Sequence, residues 1–242
     1  FVKNLGQKIR ISSYASPFIF IIKILYWRNF MSEFNKDSTV LVELDGKVVT
    51  QPRLLGKYGA VRTFRVIIET KRKNEKVDTF QLDYTTKLGV VLNVGNFIKV
   101  HGELRTLNER KSDFVIESYI LASNIEILSE EPEFYTNECT IEYGGFHRFI
   151  GTRKSYDDSG LDIAEYVVSV QRKRGKLSYF RATSWNHDAL YIGNSHDTIK
   201  HMNIGCRLQS YNGKQGDRHF ISLAVHHFST IRENDNDRCE ED

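Results

Sequence analysis

Residues 164–189 read AEYVVSVQRKRGKLSYFRATSWNHDA. The stretch divides into a strand (165–171), a basic hairpin turn and a second strand in LSYFRATSWN (177–186). In that second strand period-2 alternation places Tyr179, Arg181, Thr183 and Trp185 on one face. Phe180, Ala182 and Ser184 fall on the other, a set small enough to pack inward. Arg172, Lys173, Arg174 and Lys176 make the connecting turn basic.

The surrounding sequence supplies partners for these strands. Upstream, NECTIEYGG (137–145) reads as a strand, followed by a loop carrying Arg148, Arg153, Lys154 and Tyr156. Downstream, a short irregular or helical stretch precedes NIGCRLQS (203–210). A glycine-containing turn, YNGKQGDR (211–218), then leads to HFISLAVHHFSTI (219–231). The same order runs through residues 38–128. STVLVELDG (38–46) is followed by a polar loop, QPRLLGKYG (51–59), and the strand TFRVIIET (63–70). A basic connector, KRKNEK (71–76), leads into DTFQLDY (78–84). A short helical segment is expected over 85–92. GNFIKVHGELRT (95–106) and DFVIESYILASNIEIL (113–128) complete the set. Periodicity alone therefore predicts two small all-β domains. The acidic, proline-containing SEEPEF (129–134) reads as the linker between them. The expected boundaries are a leader at 1–35, a first domain at 36–128, a linker at 129–136, a second domain at 137–231 and an acidic tail at 232–242.

Composition narrows the function classes. The 242-residue chain is 40% hydrophobic and 27% charged with three prolines, which fits folded domains and excludes wholesale disorder. Cys139, Cys206 and Cys239 are odd in number and widely spaced, which fits a reducing compartment and neither a disulfide framework nor a zinc site. His226 and His227 are adjacent and would face opposite sides of a strand. His187, His196 and His201 lack ligand spacing, so no metal is expected. Residues 1–30 hold five basic side chains and no acid. Residues 18–27, FIFIIKILYW, are about half the length of the roughly 20 apolar residues that a membrane span needs. Met31 is the expected start, with the leader partly untranslated. The net charge of +3 then becomes −2 from Met31 onward. Net charge is thus no argument for a nucleic-acid partner, but its distribution is. Residues 36–128 and 138–231 carry +3 each, separated and followed by acidic segments.

Both halves resemble the bacterial single-stranded DNA-binding protein family, over about 190 of the residues after Met31. AEYVVSVQRKRGKLSYFRATSWNHDA resembles the family's second and third strands. CRLQSYNGKQGDR resembles its fourth-strand and hairpin region. VRTFRVIIETKRKNEK and VGNFIKVHGEL resemble the same two regions in the first half. The resemblance implies an all-β chain of two tandem five-stranded OB-fold barrels, each with a short helix between strands 3 and 4. It implies a homodimer presenting four such domains, and base-stacking aromatics at the positions of Tyr179 and Trp185. Two departures stand out. Cys206 replaces the family's usual glycine, and the tail ENDNDRCEED lacks the apolar tip that docks partner enzymes, which puts such partners in doubt.

Sequence-tolerant binding of single strands needs cations along the phosphates and flat side chains against the bases. The second half offers both: Arg148, Arg153, Lys154, Tyr156, Arg172, Arg174, Lys176, Tyr179, Arg181, Trp185, Tyr211 and Arg218. Against that reading, Trp185 also suits a core position, and the basic run also suits a solvated turn. In the first half Phe80, Leu82 and Tyr84 should point inward, leaving Asp83 on the surface where a stacking aromatic is wanted. That half reads as the degenerate copy, either binding weakly through Arg62, Lys71, Arg72 and Lys73 or serving mainly as an assembly domain. The expected function is cofactor-free coating of single-stranded DNA in replication, recombination or repair, in the cytoplasm at the nucleoid. The alternative is an OB-fold assembly factor of a primosome, plasmid or phage complex, acting through protein contacts. An enzyme is not expected. Asp157 and Asp158 precede a Ser-Gly turn, and no nucleophile–base set accompanies them.

Overall fold

Val40, Val42 and Leu44 are buried while Leu41 and Glu43 between them are not, which is the alternation of a strand with one face in a core. The same logic builds nearly every element of the computed structural model, which describes residues 40–107, 117–155, 160–171, 177–212 and 219–231. The first half contains β1 (Val40–Val48), β2 (Arg53–Tyr58), β3 (Val61–Lys71), β4 (Val77–Thr85), β5 (Phe97–Leu107) and β6 (Glu117–Leu128). The second contains β7 (Asn137–Lys154), β8 (Asp162–Gln171), β9 (Leu177–Trp185), helix α1 (Asn186–Ser195), β10 (His201–Asn212) and β11 (His219–Ile231).

Strands β7 to β11 close on themselves. β7 pairs with β8, β8 with β9, β9 with β11, β11 with β10, and β10 with β7. The β9–β11 pair is parallel, through Ser222↔Arg181, and the others are antiparallel. This closed five-stranded barrel with one helix has the strand order of an OB fold. In the first half the pairings run β1–β3, β3–β4, β4–β6, β6–β5 and β5–β1, again with a single parallel pair, Leu82↔Ile120. Phe80 and Phe180 fill the two interiors, both essentially without exposure.

One strand must turn a corner to close the second ring. β7 pairs with β1 over Asn137 to Ile141 and with β8 from Gly145 onward. The turn falls at Tyr143, held at φ 54°, and at Gly144, where a Cβ would lie 2.7 Å from Val168 Cγ1. Only glycine fits against β8 there.

Three expectations about elements are corrected. The helix expected over 85–92 is a three-residue 3-10 turn, Thr86–Leu88, stopped by Gly89 at φ 68° and followed by β-branched Val90 and Val91. The loop expected at 51–59 contains β2, a hairpin arm on β3 with every residue exposed. It has no inward face, so it gave no alternation to read. The loop expected around Arg148–Lys154 is the outer half of β7, paired with β8 as far as Lys154↔Asp162. Register shifts at Phe146/Arg148 and Phe149/Gly151 break its periodicity.

The halves meet along a continuous sheet, with β1 and β7 antiparallel from Val40↔Ile141 to Leu44↔Asn137. Buried Asp78 reinforces the junction. It accepts from the Arg72 guanidinium at 2.6 Å and from the Ser210 backbone N–H at 2.7 Å. Asp45 accepts from the Thr136 N–H at 2.8 Å, and Asn137 exchanges two hydrogen bonds with Leu208.

Candidate nucleic-acid interface

The outer face of β9 carries the side chains that alternation assigned to it. Ser178, Phe180, Ala182 and Ser184 are buried, whereas Tyr179, Thr183 and Trp185 are half-buried and Arg181 is exposed. Ser184 tolerates burial because its hydroxyl lies 3.0 Å from the Tyr166 hydroxyl.

Neighbouring strands extend this face. On β7, the His147 ring lies 4.7 Å from Tyr179, tilted by 52°. Ser222 of β11 is level with Arg181 of β9, and Phe220 precedes Ser222 by two residues, on the same side of β11. Phe220 pairs with Tyr211 of β10, and the two rings stack at 5.3 Å and 22°. Tyr211 lies close enough to Arg181 to add slightly to the raising of its guanidinium. The result is two ring pairs, His147–Tyr179 and Phe220–Tyr211, on the strands that flank Arg181. Tyr211 is 41% exposed, leaving ring surface for a flat ligand.

Arg181 is held by Glu165 of β8, which also receives Arg153 of β7 at 3.2 Å. Burial pushes the Glu165 carboxyl up. Hydrogen bonds and charge from Arg181 and Arg153 outweigh that and leave it below the usual carboxylate range. The Glu165 hydrogen bond, opposed by desolvation, raises Arg181. Two guanidinium groups on one carboxylate leave a net positive charge on β7 and β9.

The other expected contacts divide into groups. Arg148 is exposed on β7. Lys154 bridges to Asp162 at 2.7 Å with its own side chain 67% exposed. Trp185 ends β9, six residues from Tyr179, or about 20 Å along an extended strand. It therefore lies beyond the His147–Tyr179 pair, level with Ile163. Arg62 is exposed on β3. Lys71 and Arg72 sit at the junction of the halves, paired with Glu131 and Asp78. Tyr156, Arg172, Arg174, Lys176 and Arg218 lie outside the described residues.

Asp83 does not lie on the surface. It is 5% exposed and takes two hydrogen bonds from Arg65 of β3, at 2.6 and 2.9 Å. Arg65 in turn lies over the Tyr119 ring at 5.3 Å. An outward-pointing carboxylate opposite an arginine is thus covered by its own partner. Phe80, Leu82 and Tyr84 point inward as expected.

Phe220 and His147 were not among the expected contacts. Phe220 was legible, since Phe220 and Ser222 alternate with buried Ile221 and Leu223. His147 sits in a register shift that local sequence does not announce.

An all-β chain with a closed OB-type barrel and an aromatic, basic outer face belongs structurally with OB-fold proteins. Among solved structures it is similar to the wild-type single-stranded DNA binding protein from Thermus aquaticus, with TM-score 0.59 and 16% identity over 80% of this chain and 93% of that one. A deletion and substitution variant of the same Thermus protein superposes with TM-score 0.60 and 15% identity, over 81% and 95% of the two chains. The N-terminal domain of PriB protein from Thermoanaerobacter tencongensis matches 37% of this chain at 27% identity, with a TM-score of 0.33. No family model matches the chain, and no curated protein sequence does. Among the described residues no helix is long and apolar enough to cross a membrane.

Proposed function

We propose that the chain binds single-stranded DNA without sequence preference, through the outer face of β9 and its neighbours. One observation carries this reading: two aromatic pairs, His147–Tyr179 and Phe220–Tyr211, lie on strands of the ring that also carries the Arg153–Glu165–Arg181 cluster. Rings accept bases of any identity, and guanidinium groups neutralise phosphates. The fold shared with the Thermus single-stranded DNA binding protein supports the same reading. On this reading the two strand rings are tandem OB domains, residues 36–128 and 137–231. The second is the main binding domain, and two chains assemble into a dimer with four domains. The role is protective coating during replication, recombination or repair, without chemistry on the strand.

Fluorescence anisotropy of a labelled oligo-dT, titrated with the full chain at several salt concentrations, tests this. Binding is expected, with log K falling against log salt by about 0.7 per phosphate contacted. A folded protein that leaves the oligonucleotide free at low salt overturns the reading.

A further inference from the structure

Two thiols face each other inside the second ring. Cys139 of β7 and Cys206 of β10 are direct partners across an antiparallel ladder, and both are buried and free. The Cys206 thiol donates to the Cys139 carbonyl oxygen at 3.3 Å. Free cysteine is among the most buried residue types, so burial alone carries no message. Direct opposition does. Opposed residues of an antiparallel pair have Cα atoms about 4.5–5.5 Å apart, within the roughly 4.4–6.8 Å that a disulfide spans.

The pair also lies at the end of its ladder. β7 and β10 are joined from His201↔Gly145 to Cys206↔Cys139, which is the last backbone pair. Beyond it the Asn137 side-chain amide takes over, exchanging two hydrogen bonds with Leu208. On its other side Cys139 is opposite Val42 of β1, so this stretch of β7 also joins the two halves. Burial holds the Cys206 thiol protonated, well above its ordinary range, and the Cys139 thiol beside it adds to that. The thiolate is the nucleophile, so in the closed ring both groups are unreactive. Ladder ends open more readily than ladder centres, and opening here frees both thiols together.

We infer that Cys139 and Cys206 form a dithiol couple that hydrogen peroxide closes to a disulfide, stapling β7 to β10 inside the second ring. One thiolate attacks a peroxide oxygen, the O–O bond breaks, and a sulfenic acid and water result. The second thiol attacks the sulfenic sulfur, the S–S bond forms, and a second water leaves. Two thiols thus give two electrons and two protons to one peroxide, and the products are one disulfide and two waters. A small thiol reverses the step by exchange. The staple fixes the stretch of β7 through which the halves are paired.

The test uses the full chain carrying Cys239→Ser, so that the pair holds its only thiols. The folded protein is treated with hydrogen peroxide, alkylated under denaturing conditions and mapped by mass spectrometry without reductant. A peptide linking Cys139 to Cys206 in monomeric protein is expected. Melting should rise by about 5 °C or more, and dithiothreitol should reverse both changes. Adding Cys206→Ala is expected to abolish the linked peptide and the peroxide-dependent rise. Should that variant not fold, the mapping of its parent still decides. Thiols that stay free in the folded chain, while the urea-unfolded chain is oxidised, overturn the couple. So does sulfinic acid at either cysteine without a linked peptide, and so do links found only between chains. A linked peptide with no rise in melting overturns the staple.

Discussion

The outer faces of β4 and β9 come from the third strand of each ring, and they handle charge in opposite ways. On β4 the third strand supplies the acid. Asp83 is paired directly with Arg65, roofed by Tyr119, and removed from solvent. On β9 the third strand supplies the base. Arg181 is exposed, and its acid, Glu165, is shared with a second arginine. The Arg65–Asp83 pair is directly opposed across β3 and β4, whereas Glu165 lies opposite Thr183 and reaches Arg181, the partner of Val167, along the diagonal. A shared strand order therefore does not imply a shared surface: one third strand carries a closed ion pair and the other an exposed arginine.

The comparison breaks most visibly if the interiors differ as well as the surfaces. Phe80→Ala and Phe180→Ala remove equivalent buried rings and are each expected to cost about 3–5 kcal/mol in urea unfolding. Very unequal losses would show that the two rings are not equally built. Next in size is Asp83→Asn, which leaves a largely buried guanidinium without its anion and is expected to cost about 3 kcal/mol. Glu165→Gln is expected to cost less than about 1 kcal/mol, because its pairs are partly exposed and screened. A loss at Glu165 equal to that at Asp83 would erase the distinction between closed and open pairs.

Affinity gives the complementary contrast. Tyr179→Ala is expected to weaken oligo-dT binding by about 1–3 kcal/mol while leaving thermal melting nearly unchanged. Glu165→Gln is expected to tighten binding at low salt, since it removes the one negative charge in the cluster. The smallest effect is on pH dependence. The folded Glu165 carboxyl titrates below its unfolded value, so its contribution to stability is complete above the ordinary carboxylate value of about 4.3. That contribution disappears as pH falls through the lowered value. The stability gap between wild type and Glu165→Gln should therefore be constant near neutrality and close under acid conditions, as followed by pH-dependent melting.

Much of this architecture is written in local alternation. The inward set Phe180, Ala182 and Ser184 and the outward set Tyr179, Arg181, Thr183 and Trp185 follow from period 2 alone. So do Phe80, Leu82 and Tyr84. Ring closure was not legible from the residues, because pairs such as Ser222↔Arg181 join strands distant in sequence; only family resemblance supplied it. The β2 arm was hidden because all six residues are exposed and give no periodic signal. The fate of Asp83 was hidden for a different reason. Alternation gives the direction of a side chain, but not whether a neighbouring strand places an arginine opposite it. The aromatic pairs were partly visible: Tyr179 and Tyr211 were expected contacts, Phe220 follows from the alternation of β11, and His147 is hidden in a register shift.

The central claim is that single-stranded DNA lies on the β9 face. Photocrosslinking of the full chain to an oligonucleotide carrying 5-iodouracil, followed by mass-spectrometric mapping, addresses it most directly. Crosslinks at Tyr179, Tyr211 or Phe220, lost on competition with unlabelled oligo-dT, are the predicted result. Efficient, competable crosslinking that never touches residues 147, 179, 185, 211 or 220 would contradict it.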